Sequence, residues 1–177
     1  SDHVNVENNI INGDRTGVGD GLPTNVGIWA PDTAGAGGYG SVDWNVIGNT
    51  VYNMYGEPIN IHASYANIIG NIVHDAGTTY YPAVSIGSYG IIFEGLSNSY
   101  SPGTPAPAQF SKITGNVVYR TDGGIASRHD SANPGYPPQD TLISDNTIYN
   151  IQGSNQAGIS VEVGSTSGLA YRYKITG

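Results

Sequence analysis

Hydrophobic and polar residues alternate along this chain in short bursts. Runs such as Pro58-Ile59-Asn60-Ile61 and Gly158-Ile159-Ser160-Val161 place an apolar side chain at every second position. That is the period of a strand with one buried face, and no helical stripe competes with it. Five segments superimpose without gaps. They are Val6-Glu7-Asn8-Asn9-Ile10-Ile11-Asn12, Val46-Ile47-Gly48-Asn49-Thr50-Val51-Tyr52, Ile68-Ile69-Gly70-Asn71-Ile72-Val73-His74, Ile113-Thr114-Gly115-Asn116-Val117-Val118-Tyr119 and Ile143-Ser144-Asp145-Asn146-Thr147-Ile148-Tyr149. Each reads apolar, variable, small or turn-forming, Asn, variable, β-branched, then an aromatic in most copies. A sixth copy opens at Ile175-Thr176-Gly177.

A second strand-like element follows each unit: Gly27-Ile28-Trp29-Ala30, Pro58-Ile59-Asn60-Ile61, Ala83-Val84-Ser85-Ile86, Gly124-Ile125-Ala126-Ser127 and Gly158-Ile159-Ser160-Val161. The motif asparagines are unevenly spaced. The shortest interval, Asn49 to Asn71, is one bare coil, and the others are a coil plus a loop. Uneven spacing argues against a propeller, whose blades repeat more regularly. The pattern predicts an all-β solenoid, a parallel β-helix of about five coils, as one domain over residues 1–177. Equivalent residues of successive coils then stack about 4.8 Å apart. Val6/Val46/Ile68/Ile113/Ile143 and Ile11/Val51/Val73/Val118/Ile148 become inward ladders. The asparagines fall at the bend between two strands, where their amides bond one another and the turn backbone and tolerate a left-handed conformation.

The Asn-x-(Ile/Val)-(Tyr/His) unit followed by Gly-Ile-x-(Ile/Val) resembles the parallel β-helix repeats of the pectate-lyase-like superfamily, over nearly the whole chain. The resemblance implies a right-handed parallel β-helix. It does not select an activity, because that superfamily holds polysaccharide lyases, glycoside hydrolases, epimerases, phage tailspikes and structural modules. It implies a glycan running along a groove parallel to the helix axis.

Composition narrows the partners. Only 11% of residues are charged, the net charge is −8, and Lys and Arg together number six. Nucleic acid and anionic membranes demand basic patches that this chain lacks. There is no cysteine, hence no disulfide or thiolate metal site. No apolar run is long enough for membrane insertion. Scarce Lys, absent Cys and 13 tyrosines suit an extracellular protein, secreted or cell-surface. The chain starts and stops inside a coil. Unpaired coil ends invite either the remainder of a longer solenoid or end-to-end copies of the same chain.

The insertions, Pro31 to Gly40, Ser88 to Gln109, Asp130 to Gln139 and Gly164 to Gly168, all follow the second strand and so fall on one side, where repeat proteins place binding surfaces. The second begins with a short strand, Gly90-Ile91-Ile92-Phe93-Glu94. Period-2 logic gives the second strand an outward column of Trp29, Asn60, Ser85, Ala126 and Ser160. A further column nearest the loops holds Pro31, His62, Gly87, Arg128 and Glu162. Gly87 would leave a gap between His62 and Arg128, and Arg128 would reach Glu162. Asp130, Asp122 and Glu94 lean towards the same groove. The candidate catalytic residues are therefore Glu162, Arg128, His62, Asp130 and Asp122, with Trp29, Tyr89, Tyr136 and Glu94 as substrate contacts. A plain surface ion pair, Arg128 with Glu162, beside an unrelated histidine is the competing reading. The column Tyr52/His74/Tyr119/Tyr149 is either a sugar platform or a self-stabilising ladder.

Other motifs fail on context. Gly35-Ala36-Gly37-Gly38-Tyr39-Gly40 matches a dinucleotide fingerprint without its strand and helix. The four histidines lack zinc-ligand spacing, so no metal centre is expected. Asp14 and Asp20 could hold calcium, though the pattern of a calcium loop is missing. No other cofactor is implied. Two functions compete. A glycoside hydrolase would pair Glu162 with Asp130 or Asp122, and a lyase would use His62 as base and Arg128 as the cation facing a uronate. The alternative is a non-catalytic β-helix of a surface fibre, tailspike or filament.

Overall fold

A computed structural model of the chain describes residues 2–13, 26–30, 41–77, 89–94, 109–128, 138–153, 157–161 and 172–177. Among them there are strands and turns and no helix. The strands form three sheets. Sheet A contains β1 (Asp2–Glu7), β4 (Ser41–Ile47), β8 (Asn67–Ile69), β11 (Lys112–Thr114), β14 (Thr141–Ser144) and β17 (Tyr173–Thr176), with short β7 (Ala63–Ser64) also against β4. Sheet B contains β2 (Ile10–Asn12), β5 (Thr50–Met54), β9 (Ile72–Ala76), β12 (Val117–Thr121) and β15 (Thr147–Tyr149). Sheet C contains β3 (Ile28–Ala30), β6 (Ile59–Ile61), β10 (Tyr89–Glu94), β13 (Gly123–Arg128) and β16 (Ile159–Val161). The chain visits A, B and C in turn, and every pairing is parallel. This order is compatible with a parallel β-helix.

The register explains the residue choice. Val46, Ile68, Ile113 and Ile143 are direct neighbours in sheet A and fully buried, with Val6 partly buried at one end. Val51, Val73 and Val118 do the same in sheet B between the partly buried Ile11 and Ile148. Burying each such side chain is worth about 1.5–3 kcal/mol, so the ladders supply most of the drive to coil.

The asparagines form a continuous amide ladder. Asn49 donates through its backbone N–H and its Nδ2 to Asn71 Oδ1 at 2.9 and 3.0 Å, and Asn71 repeats both contacts with Asn116 Oδ1. The remaining Nδ2 proton goes to the carbonyl of Val6 or Val46. Asn49, Asn71 and Asn116 are fully buried with these bonds made. The left-handed conformation expected at these asparagines belongs instead to the residue before each: Asn8, Gly48, Gly70, Gly115 and Asp145, with φ between 55° and 66°. Glycine reaches that region without a Cβ penalty, and Asn and Asp tolerate it. The ladder asparagine is thus free to keep its amide pointed inward.

Outside sheet B, Tyr52, His74, Tyr119 and Tyr149 stack face to face with centroids 5.0, 4.9 and 4.9 Å apart. His74 and Tyr119 have both ring faces covered by neighbours, so they offer a sugar only their edges. Arg120 lies over the Tyr119 ring at 5.1 Å and donates to Asp75, which also contacts His74 Nδ1. This favours the self-stabilising ladder.

One expected strand is replaced. The third position of sheet C, between β6 and β13, is filled by Tyr89–Glu94 rather than by Ala83–Ile86, which lies outside the described residues. Ile91 takes its place between Ile59 and Ile125, and the buried Phe93 ring pairs with Ile61 and the small Ser127. Gly90 is the second residue of this strand, where the backbone runs close to the core. A Cβ there would lie 2.5 Å from Val118 Cγ1.

Candidate functional site

The replaced strand changes the outward column. With β10 in register, Glu94 is the Cα partner of Arg128, and Phe93 is the partner of Ile61, the residue before His62. The column therefore reads His62, Glu94, Arg128. The gap expected at Gly87 is a carboxylate, and Gly87 itself lies outside the described residues.

These side chains close into one polar cluster at the C-terminal ends of the sheet C strands. Arg128 Nε donates to Glu94 Oε1 at 2.7 Å, and Arg128 Nη2 donates to Glu57 Oε1 at 3.1 Å. His62 Nε2 lies 2.8 Å from Glu94 Oε2. Asn60 Nδ2 donates to Glu57 Oε2 at 2.5 Å and, more weakly, to Glu94 Oε2 at 3.4 Å. Glu57 sits in the corner between β5 and β6, where Pro58 prepares the entry to β6. Asn60, His62 and Glu94 are buried although they belong to the outward side of the sheet.

Burial by itself would push the Glu94 carboxyl up. The hydrogen bond from His62, the electrostatic pull of His62 and Arg128 and the Arg128 hydrogen bond together outweigh it, and hold Glu94 below the usual carboxylate range. Glu94 is thus ionised at neutral pH and accepts on both oxygens. An ionised carboxylate accepts only, so the contact to His62 assigns the proton to Nε2. The second ring nitrogen is Nδ1. That atom has no partner among the described residues, and neither has Asn60 Oδ1. Leaving a buried polar atom unpaired costs about 1–3 kcal/mol, which a fold retains where something else satisfies the atom.

The candidate residues divide into those the fold gathers and those it separates. His62, Arg128 and Glu94 meet directly. Trp29 is 57% exposed and is the Cα partner of Asn60, so its indole borders the cluster. Asp122 is not part of it. It precedes β13, whose far end carries Arg128, about 20 Å away at the usual rise per residue. Its buried carboxyl packs over Gly77, where an added Cβ would lie 2.5 Å from Asp122 Cγ. Tyr89 likewise starts β10 while Glu94 ends it, and its ring covers Gly123. Glu162, Asp130 and Tyr136 lie outside the described residues, as do Asp14 and Asp20. Arg128, expected opposite Glu162, is held by Glu94 and Glu57.

One acidic member of the cluster, Glu57, escaped sequence reasoning, and another, Glu94, was expected only as a substrate contact leaning towards the groove. Glu57 has no repeat signature and joins only because the corner turns it towards Arg128. Glu94 did have a signal. Gly-Ile opens the sheet C strand at 27–28, 124–125 and 158–159, and it recurs at 90–91. Aligning that pair would have placed Glu94 beside Arg128.

The fold and site define an all-β protein with three parallel sheets and a cluster of buried carboxylate and imidazole with a half-buried guanidinium at the strand ends of sheet C. No family model, no curated protein and no solved structure matches the chain.

Proposed function

We propose that the chain forms a right-handed parallel β-helix, about five coils with its longer loops on one side, that binds and cleaves an extracellular polysaccharide along the C-terminal ends of the sheet C strands. The observation that carries this reading is the contact of His62 with the ionised Glu94, backed by Arg128 and bordered by the exposed Trp29 indole. A carboxylate that fixes the tautomer and direction of an imidazole prepares it to move a proton. Glu94 is the positioning residue, His62 the proton carrier, and Arg128 with Glu57 the brace.

Hydrolysis suits this arrangement better than elimination. A lyase needs a cation available to neutralise a uronate carboxylate, whereas Arg128 stands between two carboxylates of its own chain. Hydrolysis needs one protonated and one ionised group about the scissile bond. Glu94 spends its oxygens on positioning His62 and Arg128, so we assign the protonated group to Glu162 or Asp130, which follow Val161 and His129 in sequence, with His62 as the base. Tyr136 would add a sugar contact.

The test is a polysaccharide panel scored for new reducing ends and for the unsaturated product of a lyase. Reducing ends without unsaturation are expected, falling at least about a hundredfold in His62→Ala with the circular dichroism unchanged. An unsaturated product, or full activity in His62→Ala, refutes the assignment. A second reading has its own observation: both Glu94 oxygens already have partners inside the protein. If nothing in the panel is cleaved, the cluster is a staple in a non-catalytic surface or fibre β-helix.

A further inference from the structure

As the chain enters sheet A, successive coils each place one residue in a left-handed backbone conformation: His3, Asp43, Tyr65, Phe110 and Asp140, with φ between 52° and 59°. The register of the sheet sets them in one column, with Tyr65 between Asp43 and Phe110, and Phe110 between Tyr65 and Asp140. A bulky side chain is disfavoured in that conformation, whereas Asp tolerates it. Asp43 and Asp140 make the same turn on the flanking coils, so the fold does not require rings at positions 65 and 110.

The rings are not stored in the core either, because Tyr65 and Phe110 are each 49% exposed. The exposed Ile10, Trp29, Tyr149, Ile159 and Ile175 lie on strands that are paired on one side only among the described residues. Tyr65 and Phe110 stay exposed with coils on both sides. They stack on each other with centroids 5.5 Å apart. Beyond them the column continues with short carboxylates that turn to their far neighbours, Asp43 to His3 at 3.3 Å and Asp140 to Arg172. His74 and Tyr119 have a ring on both faces, but Tyr65 and Phe110 each have one face against a ring and the other beside a short side chain.

The size of this surface selects its occupant. The exposed parts of the two rings come to roughly 200 Å², far below the about 800 Å² that a stable protein partner or a second copy covers. A sugar ring is of the right size and chemistry. Its apolar C–H face lies on an aromatic ring, and its hydroxyls donate to carboxylates at the rim. The position agrees, since Tyr65 follows His62 by three residues, which limits their Cα separation to about 11 Å.

Resting on the carbohydrate reading above, we propose that Tyr65 and Phe110 form an aromatic platform that binds sugar rings of the polysaccharide beside His62. The platform holds the glycan and takes no part in breaking its bonds.

The whole chain is titrated calorimetrically with soluble gluco-, manno- and galacto-oligosaccharides, and the corresponding polymers are assayed for KM and kcat. Asn suits the left-handed turn, so Tyr65→Asn and Phe110→Asn should each keep or raise the thermal midpoint. Each should weaken the tightest oligomer about tenfold and raise KM with kcat retained. Phe110→Leu keeps apolar bulk without a ring and should weaken binding as much, which keeps the test decisive should the Asn variants not fold. Oligomer binding within about twofold of wild type in these variants overturns the platform. So does a lowered thermal midpoint with unchanged affinity, the mark of a stack that only stabilises itself. If a polymer is cleaved by both Asn variants with the wild-type KM, this inference falls and the enzymatic reading stands. If oligomers bind through the rings and nothing is cleaved, the reverse holds. If no oligomer is bound and no polymer is cleaved, both fall.

Discussion

Replacing Glu94 by Gln keeps the side chain's shape and removes its charge. In the wild type, Oε1 accepts from Arg128 Nε at 2.7 Å and Oε2 contacts His62 Nε2 at 2.8 Å. A carboxamide has one oxygen, so its NH2 group must face one of these two donors. Breaking a buried ion pair from one side costs about 3–5 kcal/mol. Arg128 keeps Glu57 and its side chain is 27% exposed, which lowers the figure. We expect Glu94→Gln to lose about 2–3 kcal/mol at pH 7, read from urea unfolding followed by tryptophan fluorescence. The pH dependence tests the cause. The folded pKa of Glu94 lies below its ordinary value of 4.5, so on acidification the unfolded chain takes up the proton first. The stability this carboxylate contributes is complete above about pH 5.5 and drains away as pH falls through 4.5 towards the folded pKa. The gap between wild type and variant should therefore be constant near neutrality and narrow in acid. A loss below about 0.5 kcal/mol at pH 7, or a gap that widens on acidification, refutes the account of Glu94 as a clamped, ionised carboxylate.

Two stability predictions follow from the coil. Asn116→Ala takes the acceptor from the Asn71 N–H and from one of its two Nδ2 protons, and the side-chain donor from the Ile68 carbonyl, and should cost about 3 kcal/mol; Asn9→Ala, at the exposed end of the ladder, should cost under about 1 in the same unfolding assay. A Cβ at Gly124 would sit 2.1 Å from the Gly158 carbonyl oxygen, whereas one at Gly158 meets nothing nearer than 3.8 Å. Gly124→Ala should therefore lower the thermal midpoint strongly and Gly158→Ala barely, and equal effects would contradict the close coil packing.

The alternation of Ile and Val with polar residues, and the return of Asn every coil, determined from sequence alone that the chain is β and that like strands stack on like. The reason is local. Period-2 burial is written residue by residue, and an amide repeating on one face has no better partner than its own copy in the next coil. The inward ladders of sheets A and B were readable for that reason.

The tertiary structure alone decided which strand fills the third place in sheet C. Ala83-Val84-Ser85-Ile86 and Gly90-Ile91-Ile92-Phe93 both place apolar residues at their second and fourth positions. Periodicity does not rank them; what distinguishes the second is how the core is filled, with Phe93 beside Ser127 and Ile91 between Ile59 and Ile125. That choice moved a carboxylate into the column where a glycine had been expected. Glu57 came to the cluster by a corner that no repeat encodes, and Asp122 left it because strand direction put it at the wrong end of β13. Repeating chemistry shows itself in a sequence, because each copy states it again. The clamped carboxylate is a single event between four segments, and only folding brings those segments together.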